Sequence, residues 1–234
     1  MKKVLFILCI CVIPLWAQEN TYETTSEVKQ LTEFHDVIYQ IWHTGWPGKD
    51  IELLSSLMPD VKKGYASIKS AELPGILRDK KLRWDEAVHS FGLCVNTYVT
   101  AAENRDSTGL LNAAEQLHSQ FERMVRVIKP ASKEVDAFHK ILYSLYHYYL
   151  PNYEFVKIKE SAEAMSSCIK DLKNAKFPSR LQTRQEKFDA GKKELESAVE
   201  NLIETVNQGN IKDAVVSSVE SVHSKYQEFE KIFD

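Results

Sequence analysis

The chain has 234 residues, 44% hydrophobic and 27% charged, with a formal charge of −3. That composition is ordinary for a soluble globular protein and leaves room for one large or two small domains. A mildly acidic chain whose basic residues are scattered is a poor candidate for binding nucleic acid or an anionic membrane.

Met1-Lys2-Lys3 is a short basic leader, and Val4 to Trp16 is an apolar run too short to cross a bilayer. Ala17 precedes a polar segment. Residues 1–17 therefore read as a secretory signal peptide with cleavage after Ala17. Cys9 and Cys11 lack the small preceding residue of a lipoprotein cleavage site and belong to the apolar run. No second run of membrane length follows, so the mature chain is expected to be soluble and exported, periplasmic or secreted, with no membrane contact. Cys94 and Cys168 remain after cleavage, and neither has a CxxC partner. They are expected to be free and buried, in a compartment that would permit a disulfide.

Apolar residues at helical spacing then mark four segments in turn. Helix 1 runs from Ser26 to Gly45, where Trp46-Pro47-Gly48 breaks it. Helix 2 covers Asp50 to Ser70, with a kink expected at Pro59, and Leu73-Pro74-Gly75 closes it. Helix 3 spans Arg78 to Glu103 and helix 4 spans Ser107 to Ile128, before Lys129-Pro130. After that the plan starts again. Phe34, His35, Tyr39, His43 and Pro47 return 104 residues later as Phe138, His139, Tyr143, His147 and Pro151. Helices are expected over Ser132 to Leu150, onward to Lys176 (closed by Phe177-Pro178), onward to Asn207, and over Ile211 to Phe233. No stretch alternates with period two. The fold class expected is all-α, as two tandem up-down-up-down four-helix bundles formed by internal duplication, in residues 18–129 and 130–234.

In size, in the Pro-containing turn after helix 2, and in the Val206-Asn207-Gln208-Gly209-Asn210-Ile211-Lys212-Asp213-Ala214 turn into helix 4, the second half resembles a known group. It is similar to the b-type four-helix-bundle cytochromes of the periplasm, whose fold is shared by cytochromes c-prime. The resemblance implies that fold in each half, and a haem held by a Met early in helix 1 and a His near the end of helix 4. In this sequence the first position falls close to His35, and the second falls near Phe229, not His223. No CxxCH attaches a haem covalently.

Six of the seven histidines form repeat pairs, 35/139, 43/147 and 118/223. A helical wheel puts His35 within the apolar arc of helix 1, and His118 lies on the apolar side of helix 4. Counted from the end where helices 1 and 4 meet, His35 and His118 each lie eleven residues down, about 16 Å. His35 is therefore expected to face His118, and His139 to face His223, across one interface. Paired imidazoles suit Zn²⁺, Cu²⁺ or Ni²⁺, with Glu122 one turn after His118 as a further ligand. The second half has Gln227 there, and so a poorer site. His43 lies about 12 Å along the axis from His35, too far to share its ion, and is expected to cap the helix end. Tyr148 and Tyr149 point off the arc and are expected to meet a neighbouring bundle or a protein partner. There is no nucleophile with a base, no phosphate-binding glycine loop and no metalloprotease spacing, so no enzyme is expected. The reading that follows is an exported, non-catalytic bundle protein binding Zn or Cu through His35, His118, Glu122, His139 and His223. Its rivals are a scaffold protein with structural histidines, and a bis-His haem protein using His35 and His118 in a core crowded by aromatic rings.

Overall fold

Leu31, Phe34, Ile38 and Ile41 follow one another at spacings of three and four residues, and all four are buried. They form the inner line of helix α1 (Lys29–Gln40), which a π-turn over Ile41–Gly45 prolongs. The computed structural model describes residues 22–174 and 179–233, and among these the chain is all-helical. The leader 1–17 and the Phe177-Pro178 turn lie outside the described residues. Among those described, no helix is long and apolar enough to cross a membrane.

After α1 come α2 (Ile51–Ser56) and α3 (Met58–Lys69), a 3₁₀ segment over Gly75–Lys80, α4 (Lys81–Glu103) and α5 (Ser107–Ile128). The second half holds α6 (Lys133–Ser144) with a π-turn over Leu145–Tyr149, and α7 (Phe155–Lys173). A 3₁₀ segment over Ser179–Arg184, α8 (Gln185–Gln208), α9 (Lys212–Glu230) and a last 3₁₀ turn, Lys231–Phe233, complete it. Side-chain caps start several helices. The Asp50 carboxylate accepts from the Leu53 amide at 2.9 Å, and the Asp106 carboxylate accepts from the Gly109 amide at 2.9 Å. The single kinked helix expected over Asp50 to Ser70 is instead two helices, divided at Leu57. Pro59 has no amide hydrogen to donate, so it occupies the first turn of a new helix and not the interior of an old one.

The two halves use the same backbone devices 104 residues apart. Trp46 N donates to Ile41 O at 2.8 Å, and Leu150 N donates to Leu145 O at 2.9 Å, each closing the wide turn. Each such turn adds a residue to the helix and swings the following side chains by about 100°. Lys49 and Tyr153 then take left-handed φ values of 49° and 48° to leave it.

α1 packs on α3, α3 on α4 and α4 on α5, while α6, α7, α8 and α9 pack in sequence, and α5 and α9 close back on the π-turns of α1 and α6. Two buried clusters result. One runs from Val28 to Ile128, and the other from Val135 to Phe229. Close approach inside the first requires Gly64, since a Cβ there would lie 2.0 Å from the Phe34 ring.

The halves meet around Tyr143. This residue comes from α6, but its ring is buried in the first cluster. The Tyr143 hydroxyl donates to the Glu23 carboxylate at 3.0 Å and accepts from the Arg78 guanidinium at 2.8 Å. Gly75 leaves room for it, because a Cβ there would lie 1.9 Å from the tyrosine oxygen. Ser26 donates to Asp136, and Lys80 pairs with Glu230 at 3.3 Å, both across the same junction.

Candidate functional site

Every repeated histidine rests against an aromatic ring. The His118 ring lies flat on Trp42, with centroids 4.1 Å apart and planes 4° from parallel. Its counterpart in the second half does the same: His223 stacks on Tyr146 at 3.8 Å and 5°. His35 meets Phe121 at 6.0 Å, and His139 meets the corresponding Tyr226 at 4.6 Å. Tyr39 and His43, and likewise Tyr143 and His147, lie 4.6 Å apart. Imidazole and aromatic faces 4–7 Å apart gain packing and electrostatic energy together.

In the first half this arrangement sets Trp42 and not His35 against His118, whereas in the second half His139 lies near enough to His223 to feel its charge. His35 is exposed, because it sits a full 100° step beside the buried line of α1 and on its flank. His118 is level with Trp42, seven residues or about 10 Å further along α1 than His35. The same offset recurs in the second half, where one continuous helix replaces α2 and α3, so it belongs to the packing of the first and last helices of each half. Helix ends taken as flush are thus staggered by two turns. His43 is consequently the imidazole whose charge is felt by His118. In the second half His139 lies against Tyr226, whereas His147 and His223 approach edge to face at 6.5 Å.

Glu122 pairs with Arg126 at 3.7 Å, and both side chains are largely exposed. Its charge still reaches His118 and favours protonation there, against burial, which is the larger effect. Among the described residues no three His, Cys, Asp or Glu side chains converge as a group that could hold a metal ion. Cys94 packs against the first core and Cys168 against the second, both as free thiols whose pKa values burial pushes up. Tyr148 packs against the first core and Tyr149 against the second, so the pair divides across the junction.

His118, His139, His147 and His223 are shifted towards the neutral form. Burial lowers the pKa of His223, burial and then Arg78 lower that of His147, and His139 is pulled down to about 3. For His139 burial acts first, then the Lys80 ammonium, with Asp136 opposing. A histidine depressed in the folded state binds its proton only in the unfolded chain between pH 6.5 and about 3. Its contribution is therefore full above pH 6.5 and lost as pH falls, at about 1.4 kcal/mol per pH unit. Urea unfolding should show about 2 kcal/mol less stability at pH 5 than at pH 7 from His139 alone. His139→Gln should flatten the profile, and a wild-type stability that is level over this range would refute the buried neutral imidazole.

A feature that helix counting misses lies between the halves. A cavity of about 320 Å³ is bordered by Lys80, Arg83, Arg123, Arg126 and Lys129 from the first half, and by Asp136, His139, Tyr226 and Glu230 from the second. The only sequence signal for it is the run of basic residues towards the end of α5. The chain matches no family model, no curated protein and no solved structure.

Proposed function

We propose that the chain is an exported, non-catalytic scaffold protein made of two tandem four-helix bundles that arose by duplication, with structural histidines. The observation that carries this reading is the recurrence of the flat imidazole stack, Trp42 on His118 and Tyr146 on His223. The stack uses the face of each imidazole for packing, and among the described residues no group of three possible ligands gathers at its edge. The repeated histidines then hold the first and last helices of each bundle in register, and the paired bundles present a long helical surface to a protein partner. The exposed Leu82 and Leu93, on one face of α4, belong to such a surface.

The test is a zinc and copper titration of wild type against His118→Phe/His223→Phe, which keeps both stacks. On this reading wild type takes up neither ion with micromolar affinity, and the variant keeps its melting temperature within about 4 °C. A stoichiometric site present in wild type and lost in the variant would sink the scaffold reading.

That outcome would favour transition-metal binding, for which one observation speaks. Burial lowers the pKa of both His147 and His223, their ring centroids lie 6.5 Å apart, and both feel the Asp79 charge. In this second reading the ligands in the second half are His147 and His223, with His139 left against Tyr226. A bis-His haem on His35 and His118 has less support, since Trp42 covers one face of the His118 ring.

A further inference from the structure

The cavity between the halves carries five cationic side chains and two carboxylates, a surplus of positive charge in a chain that is −3 as a whole. Both carboxylates are already engaged. Glu230 pairs with Lys80 at 3.3 Å, and Asp136 pairs with Lys140 at 2.6 Å and accepts from Ser26. Arg123 and Lys129 have no ion-pair partner among the described residues, although both border the cavity. Tyr226 also borders it. That residue is only 3% exposed, and because no buried side-chain oxygen or nitrogen among the described residues lacks a partner, its hydroxyl is not a buried orphan. A second opening, lined by Asp79, Lys80, Arg83, Gln227, Glu230 and Lys231, continues the basic border on the α9 side.

We infer that this junction cavity is a binding site for a small phosphate-bearing anion, held by Arg123 and Lys129 from α5 and its end and by the Tyr226 hydroxyl from α9. Guanidinium donors fit the oxygens of a phosphate in pairs, and an ammonium adds charge without directional demand. The volume admits inorganic phosphate with water, or a phosphomonoester carrying a few carbon atoms. Since the groups come from both halves, the bound anion would also draw the bundles together. This inference does not depend on the role of the histidines, because His35, His118 and His223 do not border the cavity.

Isothermal titration of the purified protein with inorganic phosphate and with glycerol 3-phosphate tests it. The expected result is a single site of submillimolar affinity for at least one of them. It should weaken about tenfold or more in Arg123→Gln/Lys129→Gln and severalfold in Tyr226→Phe. Lys63→Gln, an exposed change away from the cavity, should have no effect. Preference for glycerol 3-phosphate would identify a phosphorylated small molecule as the ligand, and equal or better binding of inorganic phosphate would identify the free ion. Absence of binding to both probes overturns the inference. So does binding that is unchanged in the double variant, whose two exposed positions leave the cores intact.

Discussion

Tyr143→Ala is expected to destabilise the protein by about 3–5 kcal/mol, the range for deleting a buried aromatic ring. Its ring lies among residues of the first half although it belongs to α6, so the variant should also loosen the coupling between halves. Urea unfolding, followed by fluorescence and by circular dichroism, should lose coincidence of the two probes as the halves begin to melt separately. Tyr143→Phe keeps the ring and removes the bonds to Arg78 and Glu23, for about 1–3 kcal/mol. Gly75→Ala attacks the same contact from the opposite side, because its methyl group would collide with the tyrosine oxygen. A cost below about 1 kcal/mol for Tyr143→Ala would mean that the junction contributes little.

Phe34→Ala should cost a similar amount, about 3–5 kcal/mol, but inside the first half alone. The Phe34 ring lies 5.7 Å from Phe91 and 6.0 Å from Phe121, joining α1 to both α4 and α5, and its flank is covered by the bare backbone of Gly64. Relaxation cannot close the resulting void easily, since the surrounding residues sit on three different helices. Here the two probes should shift together to lower urea concentration. Retention of wild-type stability would place Phe34 outside the core.

The helices were legible because they depend on local information. Apolar spacing of three and four residues marked Leu31, Phe34 and Ile38, and the prolines and capping aspartates marked the breaks. The recurrence of Phe, His, Tyr, His and Pro after 104 residues brackets the two π-turns, although helical spacing reads both stretches as ordinary helix. The break at Leu57 was placed two residues late, at Pro59, because proline marks the first turn of the helix it starts.

The candidate site was much less legible. Level counting sets His35 opposite His118, yet α5 packs along α1 with an offset that brings Trp42 to His118 instead. An axial offset between helices is decided by how side chains of both interdigitate, and no single segment records it. The same holds for Tyr143. In the first half its equivalent, Tyr39, is 53% exposed, whereas Tyr143 is 3% exposed because a second half had a first half to dock against. The sequence by itself determined the all-helical character of the chain and most helix breaks, which follow from hydrophobic period and backbone-breaking residues. Only the tertiary structure decided which imidazole meets which ring, which tyrosine is buried, and that basic residues from α4 and α5 border a cavity closed by α6 and α9. Those outcomes rest on contacts between residues far apart in the chain, whose energies depend on offsets of a few ångströms.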